Sequence, residues 1–259
     1  MRSERTWPLF HLCTAGFASR GSCWLLLGGA LVFAWLAPLL TPWEEKPVIL
    51  QPARAQAAWL YVWLALFTWL PYQAAAVGHR LRKEGLLEHF HAGGQRPWHL
   101  FLQISAAVCL WAVALAALAA GICLLFCSPA QAVEAGRWLK VLLQYSTLYI
   151  AVAVPLLILG VALGTRTSEV PAYMVPVSLL FLGLFGAVWL EPVLTEGTSS
   201  LAKAGWLIMP HYHLADLTPR LVFKMGPLPA TDFLRSVGVL GFEASALLLV
   251  GLCAFRTRS

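Results

Sequence analysis

The chain has 259 residues, of which 59% are apolar and only 12% are charged, whereas soluble domains carry roughly 25% charged residues. This composition, with a mean hydropathy of +0.73, excludes an ordinary soluble domain and predicts an integral membrane protein. The formal net charge of +6 does not indicate nucleic-acid binding, because the basic residues cluster at the ends of apolar segments, where they contact lipid headgroups and set topology.

Six apolar segments are long enough to cross a bilayer as a helix, which requires about 20 residues. Residues 6–19 precede them and are too short to span, so they predict a helix that lies in the membrane interface. The predicted transmembrane helices cover about residues 22–41, 57–77, 100–127, 141–164, 170–190 and 236–255. No repeat or linker divides the sequence, so residues 1–259 are predicted to form a single all-α transmembrane domain.

Two further features of the sequence predict local structure. The first is Pro71, near the inner end of the second span, which predicts a kink that neighbouring helices tolerate by satisfying the freed carbonyl. Residues 191–235 are too polar to cross the bilayer but contain the apolar patch Gly205–Met209 and a helix-like stretch at Tyr212–Phe223. We therefore expect an outer re-entrant helical hairpin before the sixth span.

Lysine and arginine residues predict the orientation. The N-terminal arm, the 79–99 loop, the 165–169 turn and the C-terminus together hold ten of them. The other side holds eight, but four of these lie in the long last connection, so the contrast among short loops is ten to four. Both termini and the 79–99 loop are therefore predicted to be cytoplasmic, in an inner membrane of the bacterial type.

Neither a metal nor a nucleotide site is predicted in this chain. The six cysteines lie in apolar surroundings and are typical of core residues rather than of disulfides or metal ligands. The pairs His89/His91 and His211/His213 cannot chelate from a helix, because residues two apart point about 200° from each other. No G-x-x-x-x-G-K-[ST] motif occurs, so we expect no cofactor here.

Glu243 is the one clear acid inside a predicted span, and intramembrane carboxyl groups are costly and often functional. Two interpretations remain open: a proton or substrate site, or a carboxyl that faces the bundle interior and is protonated or bonded to another helix. The first would allow a membrane-embedded enzyme that uses Glu243 with His211 or His213 at the outer face, such as a hydrolase of lipid or peptide. No serine or cysteine lies at a telling spacing from these residues.

The segment HRLRKEGLLEHFHAGGQRP, residues 79–97, joins the second and third spans and predicts a short amphipathic helix broken by Gly93-Gly94 and Pro97. One predicted face carries Leu81, Glu84 and Glu88, and another carries Leu86, Leu87 and Phe90. The helix either projects as a rigid contact for another protein or lies in the interface while its basic side chains reach the headgroups. A passive assembly or anchoring subunit is also compatible with this charged segment.

This segment resembles the cytoplasmic loop of ABC transporter permeases of the type-2 exporter class, which follows the pattern E-R-x-x-G-T-L-E-x-L-L-x-x-P-v-s-R. Gly85, Leu87, Glu88 and Phe90 match this pattern, Arg96 lies one residue before its arginine position, and the departures are His79, Arg80, Leu86 and Gly94. The layout of spans, the outer hairpin and the stretch W-L-I-M-P-H-Y-H-L-A-D-L at residues 206–217 also look like this family.

The resemblance implies the permease subunit of an ATP-driven exporter. Residues 79–97 would then form a coupling helix that docks on a separate ATP-binding subunit, two copies of which bind ATP and Mg. Two permease chains, identical or related, would form the translocation path. The expected coupling residues are Glu84, Gly85, Leu87, Glu88 and Phe90. Gly85 would allow close approach of helices, Glu88 would bond to the ATPase surface, and Leu87 and Phe90 would fill its groove.

Overall fold

The computed structural model describes residues 7–19, 21–40, 47–186, 189–190, 203–206 and 209–257, and within these ranges all regular secondary structure is helical. The α-helices are α1 (Pro8–Ala18), α2 (Gly21–Leu40), α3 (Pro47–Phe67), α4 (Trp69–Lys83), α5 (Leu86–Ala92), α6 (Pro97–Phe126), α7 (Ala132–Gly164), α8 (Glu169–Phe181), α9 (Thr218–Val222) and α10 (Ala230–Ala254). A π-helix, Leu182–Gly186, continues α8, and a 3₁₀ turn, Tyr212–Ala215, precedes α9.

Within the described residues, five stretches of helix are long and apolar enough to cross a membrane: Pro52–Lys83, Pro97–Phe126, Ala132–Gly164, Glu169–Gly186 and Ala230–Ala254. The number rises to six if α1 and α2, which meet at an angle of 63°, count as one broken span. Several helices begin before the predicted spans do, since a helix can continue beyond the hydrocarbon layer into polar surroundings. The sequence located the apolar core of each segment better than its ends.

The second predicted span is interrupted at Thr68, where α3 ends and α4 begins, rather than at Pro71. Proline has no N–H to donate to the carbonyl four residues earlier, so Pro71 frees the carbonyl of Phe67 and the distortion falls on the preceding turn. The hydroxyl of Tyr173 on α8 donates to that Phe67 oxygen at 3.0 Å. A neighbouring helix therefore satisfies the carbonyl that Pro71 frees, as the sequence predicted.

Helix α7 is the centre of the bundle and packs against α4, α6, α8 and α10. Glycines permit the closest contact: a Cβ on Gly78 of α4 would lie 2.3 Å from the Val161 oxygen, and one on Gly164 would lie 2.3 Å from the Ala75 oxygen. Small residues of this kind let helix backbones approach within a membrane. The outer helices are much less buried than the centre of the bundle. The buried share of the apolar stretch is 67% in α7 but only 22% in α8 and 11% in α10.

The loop of residues 79–97, the α7–α8 turn and the C-terminal end of α10 lie at the same end of the bundle. The Arg166 guanidinium donates to the carbonyl oxygens of Ala254 and Cys253, the latter at 2.6 Å. His79 Nδ1 lies 3.1 Å from the Thr167 carbonyl oxygen. This grouping agrees with the distribution of basic residues, and the cytoplasmic location of this end remains a prediction from charge.

At the opposite end, the connection before α10 differs from the predicted helix at Tyr212–Phe223. The helix is divided into the 3₁₀ turn and α9, because the Asp216 side chain accepts the backbone N–H of Thr218 at 3.0 Å and Asp216 itself is extended. Such a side-chain turn competes with a continuous helix. Residues 191–202 of the predicted hairpin lie outside the described residues, as do residues 207–208 of its apolar patch.

Candidate functional site

Two regions hold the predicted site residues: the α4–α6 loop and a cleft beside α10. In the loop, α5 is a helix of seven residues between two glycines with positive φ, Gly85 at 68° and Gly94 at 88°. An L-residue in this conformation is strained, and glycine is not. A Cβ added to Gly85 would have no neighbour within 4 Å. Within this chain Gly85 is therefore needed for the backbone turn rather than for close packing, and its close approach to a partner helix stays a prediction.

Burial changes the roles expected of the other loop residues. Leu87 is 0% exposed and lies in the core of this chain, and Phe90 is half-buried against the same core. Leu87 cannot also fill a groove on a partner, so it anchors α5 to the bundle. Leu81 belongs to α4, and Glu84 caps its C-terminus, because the turn at Gly85 separates them from α5. The predicted face of Leu81, Glu84 and Glu88 is therefore not formed, although both acidic side chains are exposed.

Sequence reasoning missed Gln103, a fully buried amide on α6 that joins the loop to α1. Its Oε1 accepts the backbone N–H of Leu9 at 2.9 Å. Its Nε2 lies 3.3 Å from Gln95 Oε1 and 3.2 Å from His99 Nδ1. Helix α1, the end of the loop and the start of α6 are therefore held by one side chain. An isolated glutamine within an otherwise apolar predicted span was the signal that could have found it.

In the second region, the structure brings Glu243 and His211 together. Glu243 Oε1 accepts the backbone N–H of His211 at 3.0 Å and lies 3.2 Å from the imidazole Nδ1. The other oxygen, Oε2, is buried and has no hydrogen-bond partner among the described residues. The carboxyl thus bonds to the connection before α10 rather than to another helix. The ring of His213 lies 5.8 Å from that of His211.

These groups line a cleft of about 1200 Å³ between α8, the connection and α10. Asp232, Ser236, Val239 and Glu243 of α10 line it, at spacings of four, three and four residues that place them on one helical face. Tyr212 forms part of the wall and packs on the π-helix, where a Cβ on Gly183 would lie 2.4 Å from its ring. Burial, and secondarily the Glu243 carboxylate, raises the pKa of the Tyr212 hydroxyl.

A buried polar network holds the connection in place against α7. The Tyr145 hydroxyl donates to Asp216 Oδ1 at 2.9 Å, lies 2.6 Å from Thr218 Oγ1, and accepts the indole N–H of Trp63 at 2.9 Å. The indole of Trp59 stacks on the Tyr145 ring at 3.8 Å between centroids. These contacts fix the segment just after His211, so the position of the imidazole is set by residues far from it in sequence.

A second clamp lies closer to the start of α10. Gln144 of α7 donates to the Leu228 oxygen at 3.0 Å and accepts the Leu228 N–H at 2.8 Å. The side-chain amide thus pairs with the backbone as a neighbouring strand would.

Within the described ranges, no three His, Cys, Asp or Glu residues are grouped in a way that could hold a metal ion.

The fold and these sites define a class: a helical protein whose described residues form five to six helices that are long and apolar enough to span a membrane. Such an arrangement is compatible with a multi-pass membrane protein. Comparisons with protein-family models, with curated proteins and with solved structures found no match to this chain.

Proposed function

We propose that this chain is the permease subunit of an ATP-driven exporter of the type-2 ABC class. The observation that carries the proposal is α5, a short helix between two candidate spans whose ends are defined by the positive-φ glycines Gly85 and Gly94. An exposed acidic residue, Glu88, stands on it. A rigid projection of this kind suits the transmission of force from another protein.

The contacts of α5 provide a route for such a force. Leu87 is packed in the core, so a displacement of α5 is passed to the bundle rather than absorbed by a loose loop. Gln103 links the same region to α6 and α1. On the other side, α4 is in backbone contact with the central α7 at Gly78. Glu88, Phe90 and Glu84 would contact the ATPase, and Leu87 and Gly85 would give the loop its rigidity.

The partners follow from the same proposal. Two copies of a separate ATP-binding subunit would hold ATP and Mg, so this chain needs neither a nucleotide site nor a catalytic group. A second permease chain, identical or related, would complete the path in a bacterial-type inner membrane, with both termini cytoplasmic. The sparse burial of α8 and α10 supports this arrangement, since their apolar surfaces need lipid or another chain to cover them.

Charge reversal at Glu88 tests the proposal. The tagged chain is expressed with the proteins encoded beside it, purified in mild detergent, and compared with Glu88→Lys and with Glu134→Lys. Glu134 is exposed in the first turn of α7, at the opposite end of the bundle. We expect an ATP-binding subunit to co-purify with wild type and with Glu134→Lys but not with Glu88→Lys, because Glu88 is proposed to pair with a basic group of the ATPase, which a lysine would repel. A chain that purifies without any ATPase, or a Glu88→Lys complex with normal ATPase stimulation and normal export, would refute the coupling role.

A second candidate, a membrane-embedded hydrolase, is favoured by the contact between Glu243 and His211 beside a large cleft. A carboxylate that orients an imidazole is a common arrangement for activating a nucleophile. Ser236 lines the cleft but is seven residues from Glu243 along α10, about 10 Å by the rise of a helix. The candidate therefore requires water as the nucleophile. Ester or peptide hydrolysis by the purified chain, abolished by Glu243→Gln, would establish it over the transporter.

A further inference from the structure

We propose that the cleft between α8, the connection and α10 binds an amphiphile that carries a protonated amine, with the ammonium at Glu243 and the chain along the apolar walls. This proposal does not rest on the transport function, because it concerns binding to this chain alone. Three observations lead to it: an unpaired carboxylate oxygen, the distribution of charge along α10, and the size and position of the cleft.

The hydrogen bonds of Glu243 leave one place for a donor. Oε1 already faces two nitrogens of His211, the backbone N–H at 3.0 Å and Nδ1 at 3.2 Å. Oε2 is buried without a partner among the described residues, and a buried oxygen left in this way is destabilising. An ammonium group supplies three donors and a positive charge. It therefore suits Oε2 better than a hydroxyl, since hydrogen bonds between charged groups are the stronger ones.

Glu243 is the acid in the deeper part of the cleft, away from the other charged side chains of its lining. Asp232 and Arg235 are exposed at the start of α10, where one negative and one positive charge leave that end with no net charge. Glu243 lies eight residues beyond Arg235, about 12 Å along the helix axis. The remaining titratable groups in the walls are the imidazoles of His211 and His213 and the Tyr212 hydroxyl. The deep part of the cleft thus attracts a cation.

The cleft can also hold the apolar part of such a ligand. Its volume of about 1200 Å³ exceeds the range of roughly 300–1,000 Å³ typical of small-molecule pockets. Leu179, Val239 and Leu247 contribute apolar walls beside the carboxylate. Both α8 and α10 are candidate spans, and Phe242, next to Glu243, is 79% exposed. A ligand can therefore enter sideways from the lipid layer.

Binding of radiolabelled dodecylamine to the full chain in nanodiscs, without any ATPase, tests this site. Dodecanol and dodecanoate serve as neutral and anionic competitors. The variants are Glu243→Gln, whose amide oxygen can still accept the His211 N–H, and Glu134→Gln as a control on another helix. We expect saturable binding by wild type and Glu134→Gln, binding at least about tenfold weaker in Glu243→Gln, and little competition by dodecanol or dodecanoate.

A variant that leaves the carboxylate intact guards against a folding defect. Gly238 lines the cleft, and a Cβ there has no neighbour within 4 Å. Gly238→Phe should therefore fold and reduce dodecylamine binding by occupying the cleft. Equal binding by wild type, Glu243→Gln and Gly238→Phe, or competition by dodecanol as strong as by unlabelled dodecylamine, would overturn the proposal. Because the assay contains no ATPase, these outcomes are independent of the coupling experiment.

Discussion

Replacement of Gly85 by alanine should loosen α5 without removing a single packing contact. The residue has φ of 68°, and a Cβ at this position meets nothing within 4 Å. The cost is therefore the backbone strain of a left-handed L-residue, roughly 1–2 kcal/mol, reduced by the smaller unfolded-state entropy of alanine, roughly 0.4–1 kcal/mol. We expect a net loss of about 1 kcal/mol, which makes opening of the loop about fivefold more frequent.

Two matched substitutions separate this strain from other effects of alanine. Gly93 lies at the other end of α5 with φ of −73°, and its Cβ would be 3.4 Å from the Phe90 oxygen, so Gly93→Ala should change little. Gly85→Asn should cost less than Gly85→Ala, because asparagine tolerates the left-handed conformation better than alanine.

Hydrogen exchange followed by mass spectrometry provides the measurement, because it reports local opening of the loop peptide rather than global unfolding. The amides of α5 should exchange about fivefold faster in Gly85→Ala and at nearly the wild-type rate in Gly93→Ala. Equal acceleration in both variants, or faster exchange in Gly85→Asn than in Gly85→Ala, would show that backbone strain at residue 85 does not control the loop.

Two further substitutions test the helix contacts. Gly78→Ala should lower the free energy of unfolding of the detergent-solubilised chain by about 1–3 kcal/mol, because its Cβ would meet the α7 backbone. Gly136→Ala should instead raise the free energy of unfolding by up to about 1 kcal/mol, since this exposed helical glycine has open space around its Cβ. A change in the same direction for both glycine variants would contradict the packing argument. Gln103→Leu should lower the free energy of unfolding by about 1–3 kcal/mol by leaving the Leu9 N–H without its acceptor. A Gln103→Leu melting temperature equal to that of wild type would rule out this link.

The sequence predicted well which segments form long apolar helices. An apolar segment of about 20 residues can satisfy its backbone hydrogen bonds within a bilayer by forming a helix, and few other structures can do so. The sequence predicted helix ends poorly: α10 begins at Ala230, before the predicted residue 236, since nothing in hydropathy stops a helix at the edge of the apolar layer. The break at Thr68 lies in the turn before Pro71, as the proline indicated. A proline identifies the carbonyl that it frees, while the tertiary structure decides which group satisfies it, here the Tyr173 hydroxyl.

The candidate sites were predicted only as separate residues. Hydropathy marked Glu243 as unusual within a span, and local spacing indicated a helix in residues 79–97. Neither could reveal that Leu87 points into the core of the chain, since a leucine on a short helix has the same pattern whether it contacts its own protein or a partner.

By itself, the sequence determined the class of the protein, the approximate spans and the short charged segment between two of them, because these depend on composition and local periodicity. The tertiary structure decided which polar groups meet. Glu243 contacts His211, and Tyr145 contacts Asp216, across separations of 32 and 71 residues. Contacts over such distances depend on how the helices pack around α7, and no local pattern in the chain specifies that packing.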